Sequence, residues 1–186
     1  MEKSNSKEIV KLYNYYRNIQ KTVGKVKLRT KDFYETVSRN YNLEEVKIFR
    51  ALDGNYYIRL LCCYNDGYED KKSFRYFNDK NQQVSYAEFD TNGSKTYIEY
   101  LSTNNQFRHK GLARNAVLKI KDYSVKYNKG RPLQLLCVKR NREDEINKNY
   151  LMYKKMGFYN VYNAPVNSDA IIMEYPLINN TNNRSK

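Results

Sequence analysis

A short basic loop decides how this sequence is interpreted, and it reads Arg108-His109-Lys110-Gly111-Leu112-Ala113. Before it, residues 97–103 are rich in the residue types and alternation typical of a strand. After it, residues 112–127 place apolar side chains at helical spacing, which predicts an amphipathic helix. The sequence therefore predicts a strand, a short loop and a helix in direct succession.

The chemistry of this loop favours an anion. A glycine that opens a helix directly after a strand lets unpaired backbone N–H groups and the positive end of the helix converge on one point. Gly111 has no Cβ, so a diphosphate can approach its backbone closely. We expect Arg108 and Lys110 to add positive charge at the rim. Taken alone, the same residues also fit an ordinary strand-to-helix turn.

The rest of the chain predicts a mixed α/β fold around this unit. Asp53-Gly54 is a strong hairpin signal in a middle region that indicates an antiparallel meander. Predicted helices cover residues 7–20, 112–127 and 141–155, and Thr30 caps a further one. Predicted strands start with Val26 and Leu28 and continue over residues 46–52, 56–64, 84–89, 97–103, 133–138, 158–162 and 170–177. We expect a mixed, mostly antiparallel sheet of about six or seven strands flanked by helices.

Length predicts one domain with room for an extension, since 186 residues exceed the roughly 150 of a typical domain only slightly. We expect an N-terminal helical extension over residues 1–22 and one α/β domain over residues 23–178. A polar, Asn-rich tail over residues 179–186 is expected to be disordered. Residues 133–138 form a continuous apolar run, as expected of a strand buried on both faces.

The charge balance is strongly basic. Lysine and arginine number 34 against 20 acidic residues, which gives a formal net charge of +14 and an isoelectric point of about 9.5. Such a surplus attracts anions, whether nucleic acid, an anionic membrane surface or a phosphate-rich cofactor. Because the lysines are spread along the chain, a composition bias that keeps the protein soluble is the simpler explanation.

Cysteine and histidine are too few for a disulfide framework or a zinc site. The chain has Cys62, Cys63 and Cys137, and its single histidine is His109. Nothing has zinc-ligand spacing, so we expect no metal. The polar N-terminus and the lack of about 18 consecutive apolar residues predict a soluble, intracellular (cytoplasmic) protein with no membrane partner.

Two motifs resemble the GNAT acetyltransferase superfamily. Residues 108–113 fit its cofactor motif, Arg/Gln-x-x-Gly-x-Gly/Ala. The segment Leu151-Met152-Tyr153-Lys154-Lys155-Met156-Gly157-Phe158 is similar to the family's Leu-Tyr-x-Lys-x-Gly-Phe ending of a later helix. The resemblance covers residues 97–177, and residues 26–32 resemble the family's first strand entering its first helix.

The resemblance implies a GNAT-like acyl-CoA N-acyltransferase fold. It also implies transfer of an acetyl group from acetyl-CoA to a primary amine, by direct attack in a ternary complex. The implied cofactor-binding residues are Leu101, Ser102, Thr103, Arg108, His109, Lys110, Gly111, Leu112 and Ala113. Tyr153 would donate a proton to the departing thiolate, because a phenol held near a developing thiolate stabilises and protonates it. Core packing beside Ile146 and Tyr150 is the alternative for Tyr153.

The general base is less clearly marked. An attacking amine must lose a proton, often through water to a carboxylate, and Glu99 and Glu88 are the candidates. Strand parity places Glu99 on the face of Leu101 and Thr103, so we rank it first. A solvated charge on the strand face is the alternative for each glutamate. His109 is expected to face solvent or a phosphate.

The sequence leaves the amine acceptor and homodimer formation open. A small molecule, a polyamine, an N-terminus and a lysine all remain as acceptors. Two other function classes also remain. One is a basic nucleic-acid-binding protein whose tyrosines stack on bases, although no nucleic-acid motif supports it. The other is a catalytically silent acyl-CoA-binding module of the same fold.

Overall fold

A computed structural model describes residues 6–23, 41–65, 70–91, 94–139, 146–164 and 167–177. Several sequence predictions lie outside these residues. They are the strand at Val26 and Leu28, the helix capped by Thr30, the turns at Gly67 and Gly93, the helix start at Asn141 and the tail over residues 179–186.

The described residues form a mixed α/β fold, as predicted. The helices are α1 (Ser6–Val23), α2 (Leu112–Tyr127) and α3 (Lys148–Lys155). The strands are β1 (Tyr41–Arg50), β2 (Tyr56–Asn65), β3 (Asp70–Phe77), β4 (Gln83–Asp90), β5 (Thr96–Thr103), β6 (Leu133–Val138), β7 (Tyr159–Ala164) and β8 (Asn167–Tyr175). They are hydrogen-bonded in the order β1-β2-β3-β4-β5-β6-β8-β7.

The sheet has eight strands among the described residues, one or two more than predicted. The additional strand is β3, whose sequence indicates a polar, charged stretch. Two of its polar residues are nevertheless buried: Ser73 is 1% exposed and Arg75 is 7% exposed. Arg75 is accommodated because its guanidinium donates to Ser73 Oγ at 3.1 Å and to Gln83 Oε1 at 2.7 Å. A buried arginine is tolerated in the sheet when its guanidinium is hydrogen-bonded, but it adds nothing to the hydrophobic pattern of the sequence.

The chain divides into two compact units. The first contains Met1–Phe89 and Tyr100–Val117, and the second contains Asp90–Glu99 and Leu118–Lys186. Both β5 and α2 contribute residues to each unit.

The first unit has a core built between α1 and the first strands. The helix contributes Ile9 and Tyr16, which are 1% and 0% exposed. They belong to a buried cluster that also contains Leu43, Val46, Ile58, Leu60, Cys62 and Phe77. The predicted N-terminal helix is therefore confirmed, and it forms part of the core of this unit. Tyr16 also packs its ring on Phe77 at a centroid distance of 5.9 Å, and its hydroxyl donates to Asn81 Oδ1.

Replacing Tyr16 with alanine is expected to lower the free energy of unfolding by about 3–5 kcal/mol, because it opens a cavity under α1. Tyr15 is the matched control, since it neighbours Tyr16 on the same helix but is 44% exposed. Tyr15→Ala should cost about 0.5 kcal/mol or less. Denaturant unfolding of both variants measures the difference, and equal losses would contradict the core role of α1.

The second unit is organised around β6. This strand pairs antiparallel with β8 along its whole length, from Leu133↔Tyr175 to Val138↔Ala170. Its described parallel pairing with β5 covers Thr96↔Leu133 to Ile98↔Leu135.

Leu136 and Val138 of β6 depart from the prediction that this strand is buried on both faces. Leu135 and Cys137 are buried, but Leu136 is 51% exposed and Val138 is 44% exposed. The prediction is therefore wrong for one face, because an apolar run records side-chain type and not whether anything covers it.

The helix predicted from Asn141 also differs in its start. Asn147 caps α3, and its side chain accepts from the Asn149 amide at 2.8 Å, so the helix begins at Lys148. Ile146 lies before this cap and is 53% exposed, and residues 140–145 lie outside the described ranges.

Candidate functional site

The loop between β5 and α2 has an unusual backbone. A short 3-10 turn over Asn105–Phe107 leads into it, and two residues adopt positive φ, His109 at 60° and Gly111 at 83°. The first helical bond of α2 runs from the Asn115 amide to the Gly111 carbonyl at 2.9 Å. Helix geometry therefore leaves the amides of residues 112–114 without an intrahelical acceptor. This is the arrangement that binds an anion at a helix N-terminus.

Not every predicted group in the loop is available to a ligand. The Arg108 amide donates to the Asn105 carbonyl at 3.3 Å, and the Arg108 Nε donates to the Thr103 carbonyl at 3.3 Å while the side chain remains exposed. Leu112 is 1% exposed, so only its backbone can face a ligand. Ala113 is half-buried and His109 is exposed.

Lys110 does not stand at the rim, and that prediction is wrong. The residue is 8% exposed. Its ammonium lies 3.2 Å from Asp53 Oδ2, 3.4 Å from the Tyr57 hydroxyl and 4.8 Å from the centre of the Phe107 ring. The lysine turns inward because Asp53 in the β1–β2 turn offers a charge partner, which the sequence spacing does not reveal.

Lys110 and Asp53 form a mutually stabilised ion pair. Burial by itself lowers the pKa of Lys110, but the contacts with Asp53 and Tyr57 outweigh it and raise that pKa above its ordinary value. Burial by itself raises the pKa of Asp53, but the Asn55 amide and Lys110 outweigh it and lower that pKa. Both groups therefore remain charged around neutral pH.

The β1–β2 turn also contacts the loop backbone. The Leu52 amide donates to the Lys110 carbonyl at 3.1 Å. A Cβ placed on Gly111 would lie 3.0 Å from Leu52 Cγ, although Leu52 itself is 79% exposed. Sequence reasoning identified Asp53-Gly54 as a hairpin turn, which is confirmed, but it gave no sign that this turn touches the loop.

The end of β5 carries the remaining predicted cofactor residues of the first unit. Leu101, Ser102 and Thr103 are all half-buried. The Ser102 carbonyl accepts from Ser85 Oγ at 2.8 Å, and Thr103 Oγ1 lies 2.8 Å from the same hydroxyl. Ser85 thus ties the end of β5 to β4.

The two candidate bases lie in different surroundings. Glu88 is half-buried on β4 and acts with burial and Tyr100 to raise the pKa of Tyr86. Glu99 is exposed on β5 and acts with burial to raise the pKa of Tyr97. Glu99 and Tyr100 are both exposed, so burial does not separate the two faces of β5 at this point, and the ranking of Glu99 first stays a prediction.

In the second unit, Tyr153 on α3 lies near Cys137, on the buried face of β6. The residue is 9% exposed and packs edge-to-face on Phe158 at 5.7 Å. Burial, with a smaller contribution from Cys137, raises the pKa of Tyr153 to about 12. Burial raises the pKa of the Cys137 thiol to about 11. Both groups therefore keep their protons at neutral pH.

The exposed face of β6 has a polar neighbour that the sequence did not reveal. Burial raises the pKa of Tyr97, although the nearby backbone of Leu136, one residue beyond the last described parallel pair, opposes this. Within the described ranges, no helix is long and apolar enough to cross a membrane. The same residues hold no group of three or more potential metal ligands.

No family model matches the sequence, and no curated protein matches it. Solved structures do. A PaiA N-acetyltransferase from Thermoplasma acidophilum in complex with coenzyme A is 18% identical with a TM-score of 0.44, over 56% of this chain and 59% of that one. Nourseothricin acetyltransferase is 14% identical with a TM-score of 0.48, over 81% and 96%.

A third solved structure, an acyl-CoA N-acyltransferase from Pseudomonas aeruginosa, is 17% identical with a TM-score of 0.47, over 59% of this chain and 73% of that one. This chain thus spans about three fifths of the length of the first structure that it resembles. Another of the similar structures, from Desulfovibrio desulfuricans, is assigned to the GNAT family and is 16% identical with a TM-score of 0.49.

Proposed function

We propose that this protein is an N-acetyltransferase that moves an acetyl group from acetyl-CoA to a primary amine. The observation that carries the proposal is the loop before α2. Its residues match a motif for a CoA pyrophosphate. The first helical hydrogen bond is donated by the Asn115 amide, so the amides of residues 112–114 have no intrahelical acceptor. A diphosphate needs this combination of converging N–H groups and a positive helix end.

The loop supplies binding mainly through its backbone. Lys110 is neutralised by Asp53, so of the two basic residues predicted at the rim, Arg108 keeps an exposed charge. Binding that relies on directed N–H donors and a helix end depends on geometry more than on bulk charge. It should therefore lose less affinity with added salt than the binding of a basic surface to DNA.

In the chemical step, the nitrogen of a neutral amine attacks the acetyl carbonyl, and the bond from carbonyl carbon to sulfur breaks. The sulfur leaves as a thiolate and takes a proton, which we assign to the hydroxyl of Tyr153. Because burial raises the pKa of Tyr153 to about 12, its hydroxyl is protonated at neutral pH and has a proton to donate. The amine nitrogen loses its extra proton to water or a carboxylate, for which Glu99 and Glu88 remain the proposals.

Calorimetric titration of the purified protein is the first test. We expect saturable binding of acetyl-CoA and of CoA that survives moderate salt, because directed backbone donors supply much of it. A short DNA duplex is the comparison. Salt-sensitive DNA binding with no response to either CoA species would replace this proposal with the nucleic-acid alternative.

Turnover separates an enzyme from a silent binding module. With acetyl-CoA bound, a panel of amines covering small molecules, polyamines, peptide N-termini and lysine side chains should release free thiol for at least one class. Binding without thiol release from any class would favour the silent acyl-CoA-binding alternative. The same purified sample, run through size-exclusion chromatography with light scattering, decides whether a homodimer forms.

A further inference from the structure

We infer that Asp53 is a positioning residue for the anion-binding loop, an inference that rests on the proposed function of that loop. Asp53 carries the same sign of charge as the ligand. It nevertheless favours binding, because it holds Lys110 and with it the backbone from which the donors project. The evidence is a set of contacts within the first unit between the β1–β2 turn and the loop.

The first step is the conformation that must be maintained. Lys110 lies between His109 and Gly111, whose φ angles are 60° and 83°. A non-glycine residue at positive φ such as His109 is strained, so the surrounding contacts must hold it. Losing those contacts would let the loop relax toward ordinary φ values and turn the amides of the next residues away from a common point.

The second step is what holds it. The Lys110 side chain is anchored by Asp53 at 3.2 Å and by the Tyr57 hydroxyl at 3.4 Å, and Phe107 lies beneath the ammonium. The backbone carbonyl of Lys110 accepts from the Leu52 amide at 3.1 Å. Side chain and backbone of one residue are thus fixed by the same turn, which fixes the peptide between the two positive-φ positions.

The third step is that the turn itself is rigid. Asp53 is fixed because its carboxylate accepts from the Asn55 amide at 3.1 Å and from Asn55 Nδ2 at 2.8 Å. The Ala51 amide donates to the Asn55 carbonyl at 2.8 Å and closes the turn. Asn55 is 4% exposed. The anchor for Lys110 is therefore built into the hairpin and not a mobile surface carboxylate.

The sign of the effect makes the inference testable. Removing a negative charge near a polyanion site, and releasing a lysine toward it, should tighten binding if charge alone acts. If Asp53 acts by positioning, Asp53→Asn should instead weaken CoA binding, by about tenfold. Calorimetry with CoA measures the change, and Glu8→Gln on the exposed surface of α1 is the control for removing one acidic charge. Unchanged or tighter binding by Asp53→Asn overturns the inference.

Two further variants separate positioning from general destabilisation. Asp53→Glu keeps the charge and should recover part of the affinity, which a loss of fold would not do. The double variant Asp53→Asn/Lys110→Met removes both charges and leaves no buried ammonium unpaired, so it should fold even if Asp53→Asn does not. Its loss of CoA affinity should be no larger than that of Asp53→Asn, since one interaction is removed in both. A loss in the double variant equal to the sum of the losses of Asp53→Asn and Lys110→Met alone would overturn the coupling.

Failure of the proposed function has a different signature. If the wild-type protein binds no CoA, the assignment of the loop is wrong. Amide hydrogen exchange of the ligand-free protein then decides the structural part alone. Faster exchange at residues 109–114 in Asp53→Asn than in wild type supports the anchor, and unchanged exchange there overturns it.

Discussion

Replacing Gly111 with alanine is expected to weaken CoA binding by about a hundredfold. A displacement of about 1 Å is enough to misalign backbone N–H donors and remove most of the binding energy that they contribute. Gly111 has a φ of 83°, where an L side chain costs about 1–2 kcal/mol. Its new Cβ would also lie 3.0 Å from Leu52 Cγ. The backbone must move at the point where α2 begins, and the amides of residues 112–114 move with it. Calorimetry with CoA measures the loss.

Gly157 is the matched control for this change. Its φ is 98°, and a Cβ there would lie 3.1 Å from Tyr175 Cε2. Gly157→Ala should therefore destabilise the protein to a similar degree while leaving CoA affinity unchanged, because Gly157 ends α3 and has no part in the loop. Retained affinity in Gly111→Ala would remove the loop assignment. Equal affinity losses in both variants would show that CoA binding reports stability alone.

The parts of the fold that the sequence predicted are those where local pattern and burial agree. Residues 112–127 and 133–138 were predicted with the bounds that α2 and β6 have. The hairpin at Asp53-Gly54 was predicted because a turn with positive φ demands glycine, and Gly54 has a φ of 82°. These features are set by residues close in sequence.

The parts that the sequence did not predict depend on tertiary partners. β3 was overlooked because Arg75 is buried by contacts with Ser73 and Gln83. Lys110 was placed at the rim because a basic residue in an anion-binding loop is expected to face the anion. Its actual partner, Asp53, is far away in sequence and comes close only in the tertiary fold. No periodicity or spacing records such a contact.

For the candidate site, the motif indicates the strand, loop and helix but not the side-chain contacts. The sequence argument for Gly111 is the close approach of a diphosphate, and the structure adds a second reason for glycine, a φ of 83°. Strand parity places Glu99 on the face of Leu101 and Thr103, but burial does not separate the two faces from Glu99 onward, since Glu99 and Tyr100 are both exposed. The role of Glu99 as a base therefore stays a prediction.

Replacing Tyr153 with phenylalanine is expected to lower kcat by about a hundredfold, the lower end of what a positioned general acid contributes. CoA affinity should stay the same, because the hydroxyl acts on the thiolate only as it departs. Tyr150 is the matched control: it lies on the same helix, is equally buried at 9% exposed, and its hydroxyl accepts from Asn160 Nδ2 at 3.2 Å. Tyr150→Phe should keep kcat and lose about 1 kcal/mol of stability.

The pH dependence of stability gives an independent signature of the same hydroxyl. The folded pKa of Tyr153 is raised to about 12, above the value of about 10 for an unfolded tyrosine. The folded state therefore holds this proton more tightly, and the contribution to stability is complete below about pH 10 and lost as pH rises toward 12. The wild-type protein should lose this share of stability and Tyr153→Phe should not. If Tyr153→Phe keeps kcat at every pH while showing this stability difference, Tyr153 is a core residue and another group protonates the thiolate.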